Sequence, residues 1–250
     1  MKYIVLNFFF FCSILCFAQN SNPILVGDDI YINKSYLKIN RIKNTETKID
    51  SIIIYNKSNK TINFKLPEST DCVTISAKNT KIESKSNASI VFTIDGKKCK
   101  NFGFNNNRFN LKLSDSANAQ ILATWVLDED FSLLTPLELK NAAKISIDKT
   151  TQSFDTVNQG DTLKMKFTII NKGLSNLLIR NLKPSCGCTL TKISNEEIKP
   201  SDSAFITAEL NTDGFAGSIA KTISIVSNDP SNPTMLLFIK AFVRINEELK

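Results

Sequence analysis

Polar and apolar residues alternate along most of this chain. In LKMKFTIIN, Leu163, Met165, Phe167 and Ile169 share one face and Lys164, Lys166 and Thr168 the other. Such a period of two is the signature of a half-buried β-strand. SAFITAEL repeats it with Ala204, Ile206, Ala208 and Leu210. TMLLFIKAFVRI is apolar on both faces, which predicts a strand covered on both sides or one at a junction. Turn signals separate these runs: Asn171-Lys172-Gly173, Lys199-Pro200-Ser201, Asp213-Gly214 and Asn228-Asp229-Pro230. Turns spaced in this way predict an all-β sandwich. The one short helical candidate is Thr135 to Lys144, with Pro136 placed to start it.

The first half of the chain repeats the second. SIIIYNKSNKTINFKL runs parallel to FTIINKGLSNLLIRNL, aligning Asn56-Lys57 with Asn171-Lys172. The stretch from Cys72 then tracks the one from Cys186 or Cys188, and the Asp95-Gly96 turn aligns with Asp213-Gly214. RFNLKLSDSANAQILATWVL tracks KTISIVSNDPSNPTMLLFIKAFV. A shift of roughly 115 residues means two tandem domains, not a short-repeat solenoid. The expected order is a signal peptide over 1–18 and an N-terminal extension over 19–35. A diverged immunoglobulin-like sandwich follows over 36–128, a linker over 129–143, and a second sandwich over 144–246. Leu133, Leu134, Leu137 and Leu139 predict a connector packed against a domain. The phenylalanines of NFGFNNNRFN, Phe102, Phe104 and Phe109, are expected to point inward, and Trp125 is expected in the core.

The N-terminus sets the compartment. One lysine precedes an apolar run from Tyr3 to Phe17, and Ala18 stands at a cleavage position, the layout of a secretory signal peptide. A lipid anchor would use Cys16, but Leu15 precedes it where a small residue is wanted, so cleavage after Ala18 is the expectation. No later segment is apolar enough to span a bilayer. The protein is thus expected to be exported, and to be periplasmic, outer-membrane-associated or secreted. Export removes two of the six cysteines and leaves Cys72, Cys99, Cys186 and Cys188, an even set that permits disulfides.

Charge and composition mainly exclude. The formal charge is +7, but the lysines are scattered along alternating strands, with Lys97-Lys98-Cys99-Lys100 the densest cluster. Nucleic-acid binding would want a concentrated basic face with aromatics. The chain has no histidine, so histidine-based triads, imidazole bases and histidine-ligated zinc are unavailable. Glycoside hydrolysis needs two carboxylates facing each other about 5–10 Å apart. The acidic pairs Asp28-Asp29 and Glu196-Glu197 and the run Asp128-Glu129-Asp130 are adjacent residues and are expected to be solvated loops.

In the second half, one ordered set of motifs goes further. Asn171-Lys172-Gly173, Ser185-Cys186-Gly187-Cys188-Thr189, Ile198 with Pro200, Gly214 with Gly217, and Ser227-Asn228-Asp229-Pro230 with Pro233 follow one another. Together they resemble a bacterial exported family of unknown function with an immunoglobulin-like fold and an SCGCT hallmark. That family is similar in fold to Hydin-type and major-sperm-protein-type β-sandwiches. The resemblance covers residues 145 to 244 and implies a fold and an exported location; it brings no activity. The first half departs from it, with one cysteine in place of the pair and Ser114-Asp115-Ser116 in place of Asn-Asp-Pro.

Cys186-Gly187-Cys188 admits three readings. It is a structural disulfide or packed turn, with Gly187 supplying unusual backbone angles. It is a thiol-redox pair, which would need nearby cations such as Lys183 or Lys192. Or it is a soft-metal site, which only Cys72 and Cys99 could complete to four thiolates. Cys72 and Cys99 are expected to pair with each other. Gly173, Gly187, Gly214, Asn228, Asp229 and Pro230 are expected as structural turn formers. The expectation is a non-enzymatic binding or scaffolding module without cofactor or metal. Its partner is expected to be another envelope or extracellular protein, or a glycan.

Overall fold

The computed structural model describes residues 22–245, so the signal segment expected over 1–18 lies outside the described residues. The first half folds into β1 (Ile24–Gly27), β2 (Ile30–Ile32), β3 (Tyr36–Lys43), β4 (Thr47–Asn56), β5 (Ile62–Asn63), β6 (Val73–Ala77), β7 (Lys81–Ile82), β8 (Ser86–Asp95), β9 (Gly103–Lys112) and β10 (Asn118–Asp128). One sheet has the order β1-β2-β4-β8-β6 and faces a second with the order β3-β10-β9, in which β3 and β10 run parallel. The helix α1 (Pro136–Lys140) sits in the connector.

The second half contains β11 (Ile145–Ile147), β12 (Thr151–Asn158), β13 (Thr162–Asn171), β14 (Leu177–Pro184), β15 (Thr189–Ile193), β16 (Glu197–Ile198), β17 (Ser203–Asn211), β18 (Gly217–Ser227) and β19 (Thr234–Arg244). Its sheets run β11-β13-β17-β15 and β12-β19-β18-β14-β16, again with one parallel pair, β12 with β19. Each pair of sheets encloses its own hydrophobic core. The alternation read from the sequence holds: Leu163, Met165, Phe167 and Ile169 are buried, as are Ala204, Ile206, Ala208 and Leu210. This is packing of inward-facing residues from two sheets, as in sandwiches generally.

Several expectations are corrected. Residues 22–35, the described part of the expected extension, are no mere extension, because β1 and β2 join the first sheet and Ile30 and Ile32 are fully buried in its core. A three-residue strand is too short to display a period of two. Of the three phenylalanines around β9 only Phe109 is buried; Phe102, just before the strand, is half-buried and Phe104 is exposed. The inward face of β9 instead carries Asn105 and Asn107 ahead of Phe109 and Leu111. β19 is covered on one face only, leaving Leu236 and Phe242 exposed.

Phe102 and Phe104 serve the joint between the two halves. The Arg180 guanidinium lies 5.2 Å from the Phe102 ring, and Lys183 Nζ lies 4.7 Å from that of Phe104. Asn181 Nδ2 donates to the Phe102 carbonyl at 2.7 Å and Lys183 Nζ to that of Phe104 at 2.8 Å.

The connector is held by polar contacts and not by its leucines. Leu133, Leu137 and Leu139 are exposed. Asp128, Glu129 and Asp130, read as solvated, pair respectively with Arg41, Arg180 and Lys43. The helix begins as Pro136 predicts: Thr135 caps it, with the reciprocal Glu138 bond of a capping box. Asp130 accepts from Ser132 Oγ, Thr45 Oγ1 and Lys43 Nζ at 2.6, 2.7 and 2.9 Å. These bonds, that of Ser132 foremost, hold its carboxyl well below the usual carboxylate range. A lowered native pKa stabilises above the unfolded value of about 4 and ceases to do so as pH falls through the native value. The D130N variant is therefore expected to melt below the parent protein at neutral pH, with the gap closing in acid. A gap that is the same at both pH values would show that the carboxylate is not responsible.

Candidate functional site

The two disulfides occupy corresponding places in the repeat. The Asp95 N–H donates to the Cys72 carbonyl at 2.9 Å, and the Asn211 N–H to the Cys188 carbonyl at 3.0 Å. Val73 pairs with Ile94 as Thr189 pairs with Leu210. Cys72 therefore corresponds to Cys188, and Cys186 is the additional residue. The same register aligns Asp95 with Asn211, so the Asp95-Gly96 turn does not match Asp213-Gly214. Four residues on, Cys99 in the first sandwich corresponds to Phe215 in the second.

Cys72 and Cys99 are bonded to each other, with Cα atoms 4.8 Å apart, tying the residue before edge strand β6 to the turn that follows its neighbour β8. In the second sandwich Cys186 and Cys188 are bonded to each other, with Cα atoms 5.3 Å apart. Cys188 packs at the margin of the second core, as does Phe215, whose ring lies 4.1 Å from Lys221 Nζ. The loop is pinned from below, where Ser185 N–H donates to the Thr222 carbonyl at 2.8 Å and Thr222 N–H to Ser185 Oγ at 3.0 Å. Thr189 Oγ1 lies 3.5 Å from Cys186 Sγ and 3.9 Å from Cys188 Sγ.

Gly187 does not supply a left-handed turn; its φ lies outside that region, and a Cβ there would meet nothing within 4 Å. The glycine leaves the outer side of the loop open. Lys183 is spent on the Phe104 carbonyl, so it is not the cation that would activate a thiol here. The four-thiolate metal set is not assembled, because the cysteines are consumed in two separate bridges. Among the described residues no group of three or more histidine, cysteine or acidic side chains is placed to hold a metal ion.

The ends of the sandwiches differ more than their cores. Asn56 and Asn171 are equivalent buried residues. Asn56 Nδ2 donates to the carbonyls of Lys60 and Ile82 at 2.7 and 3.2 Å, and Asn171 Nδ2 to those of Ser175 and Ile198 at 2.8 and 2.9 Å. Beside Asn171 the connector covers the end of the second sandwich and leaves there a smaller cleft of about 470 Å³. Lys172 N–H donates to the Lys144 carbonyl at 2.8 Å, and Ser175 Oγ to the Asn141 carbonyl at 2.7 Å. Gly173 is required there, since a Cβ would stand 2.3 Å from the Ala142 carbonyl oxygen. Asp229 is buried, accepting from the Ile145 and Ser231 N–H groups at 2.9 and 2.8 Å. Gly214 takes a positive φ of 73° in the turn after β17. Asn228 accepts from the Leu178 N–H at 2.7 Å, and Pro230 is half-buried beside it.

The same end of the first sandwich is open. A cleft of about 950 Å³ lies there, lined by Asp28, Lys60, Asn63, Lys65, Lys112 and Asp115 among others. Asp115, the counterpart of Asp229, has swung out to Lys112 at 2.9 Å. At this end Asp28 instead accepts from the hydroxyls of Ser116 and Ser114. Those two bonds, Ser116 first, lower the Asp28 pKa. Nothing in the spacing of Asp28-Asp29 announces this cleft, since its other walls come from residues roughly 30 and 85 positions away.

Fold and site together define a nearly all-β protein of paired, packed β-sheets, carrying disulfides and an open polar cleft. Residues 145–243 match the family model described as protein of unknown function (DUF1573). No curated protein matches the chain. Among solved structures, a protein of unknown function from Porphyromonas gingivalis W83 is similar with a TM-score of 0.63 and 15% identity, covering 86% of this chain and 99% of that one. The ASH/PapD-like domain 7 of human CEP192 gives 0.36 and 13%, over 46% of this chain and 95% of that one. The YadV chaperone gives 0.32 and 14%, over 84% and 99%. At 15% identity the likeness to the first of these concerns fold alone.

Proposed function

We propose that the protein is an exported, non-enzymatic binding module of the cell envelope that holds a protein partner in the cleft beside Asp28. The observation that carries this reading is the contrast between the two ends. The second sandwich uses its end to receive the preceding connector, whereas the first leaves the corresponding end as an open cleft of about 950 Å³. The lining mixes lysines and carboxylates, which suits a partner segment bearing both charge signs. Among the described residues no helix is long and apolar enough to cross a membrane.

A photo-crosslinking residue placed at Asn59, on the cleft wall, is expected to give a discrete envelope adduct. The same residue at Lys240, on the exposed face of β19, should give none. The triple variant K60E/K65E/K112E should abolish the Asn59 adduct while retaining the fold. Equal labelling from both positions, or none from Asn59, would remove this reading.

A second reading, thiol–disulfide exchange at Cys186 and Cys188, has one observation in its favour. That loop is open to solvent on its Gly187 side, whereas Cys99 is buried. Exposed bridges are the labile ones.

A further inference from the structure

The opposite end of the first sandwich, where β9 begins, holds a second cavity of about 380 Å³. Its lining includes Thr70, Asp71, Lys98, Asn105, Asn107 and Trp125, with the Cys72–Cys99 bridge in its wall. Asn105 and Asn107 lie on the inward face of β9, the face that carries Phe109 and Leu111 further along the same strand. Amides thus stand at core-facing positions at the mouth of a sandwich, where apolar residues would have closed it.

Trp125 pairs with Asn105 across the β9–β10 ladder and is 2% exposed. Its Nε1–H has no hydrogen-bond partner, and among the described residues it is the one buried side-chain nitrogen or oxygen left so. A buried donor without an acceptor is costly and calls for an explanation. Trp125 is among the residues that line this cavity.

The remaining groups specify what would fill it. Both Asn105 Nδ2 protons are spent on the carbonyls of Asn101 and Gly103, at 2.8 and 2.9 Å, so its Oδ1 is left to accept. The Asn107 side chain makes no hydrogen bond among the described residues and offers a donor and an acceptor side by side. Thr70 Oγ1 accepts from the Val73 N–H at 3.2 Å and keeps its own proton to donate. Lys98 and Lys100 are already paired with Asp95 and Asp71, at 3.7 and 3.2 Å, so the rim does not call for a charged ligand. Interleaved donors and acceptors of near-zero net charge match adjacent hydroxyl groups, each of which both donates and accepts. The volume lies at the small end of small-molecule sites.

We propose that this cavity binds a neutral saccharide, as one or two sugar units, with Trp125 Nε1–H donating to a sugar oxygen and the Asn107 amide spanning neighbouring hydroxyls. The site is separate from the Asp28 cleft and does not depend on a partner binding there.

Trp125 is the single tryptophan of the chain, so its emission reports this site alone. The purified protein is to be titrated at millimolar concentrations with glucose, galactose, mannose, N-acetylglucosamine and their β-linked disaccharides, with glucuronate as the anionic comparison. A saturable change in emission with at least one neutral sugar is expected, weakened about tenfold or more in N107A. Calorimetric titration of W125F, which keeps an aromatic ring but lacks the N–H, should show a comparable loss with its melting temperature retained. No saturable response to any neutral sugar would overturn the proposal. A response to glucuronate alone, or one unchanged in N107A, would do so too. If W125F binds the same sugar as tightly as the parent protein, the Nε1–H belongs to an ordered water and the assignment fails.

Discussion

Replacing Cys72 and Cys99 together with alanine is expected to destabilise the first sandwich by about 3.5 kcal/mol, against about 1.5 kcal/mol or less for Cys186 and Cys188 in the second. The chain-entropy argument sets the ratio. The first bridge closes a loop with a sequence separation of 27 and restrains the unfolded chain strongly, whereas the second spans a separation of 2. Burial adds to the difference, because Cys99 is 9% exposed and its truncation leaves space in the core. Urea unfolding followed by Trp125 emission reads the first sandwich, and hydrogen exchange of β17 reads the second. Equal losses from the two double variants would contradict this account. The same reagents test the exchange reading of Cys186 and Cys188. When a glutathione buffer reduces the exposed bridge and iodoacetamide traps the freed thiols, Cys186 and Cys188 should become alkylated while Cys72 and Cys99 stay protected. If all four remain bridged, thiol exchange is removed from consideration.

The N171A variant is expected to lose about 3 kcal/mol. Asn171 is fully buried and holds four backbone groups at once. It donates to the Ser175 and Ile198 carbonyls and accepts from Gly173 N–H at 2.9 Å and Lys144 N–H at 3.3 Å. Truncation leaves these groups without partners at the point where the connector enters the second sandwich. N171D keeps the shape but sets a carboxylate against two carbonyl oxygens, which raises its pKa. Its loss should therefore shrink as pH falls below about 5, where the protonated acid can donate one of the bonds. The equivalent N56A should behave similarly, since Asn56 also reaches the Glu83 carbonyl at 3.0 Å. An N171A protein with unchanged chemical unfolding would show that water replaces the amide.

Much of the fold was legible because burial parity is a local property. Every second residue of β13 and β17 faces inward, and the sequence alternates accordingly. Asn56 and Asn171 were legible only as turn markers; their role as buried bridges depends on carbonyls brought in from β7 and β16. The connector shows the opposite failure. Its leucines promised apolar packing, but a short segment crossing between two closed cores finds no free apolar face, and its acidic residues hold it through Arg180, Lys43 and Thr45. A signal for the inward asparagines was present, since Asn105 and Asn107 share the parity of Phe109 and Leu111. It was masked by Phe102 and Phe104, which lie on the same stretch and serve the joint instead.

By itself the sequence determined the all-β class, the doubled pattern and the helix at Pro136, all of which follow from short-range periodicity and capping. Only the tertiary structure decided which cysteine of the pair corresponds to Cys72, which end of each sandwich is covered, and what Trp125 lacks. Those matters rest on register and on how far two sheets overlap. An inward-facing side chain becomes core or cavity wall according to what the opposite sheet places over it, and no local pattern along one strand records that.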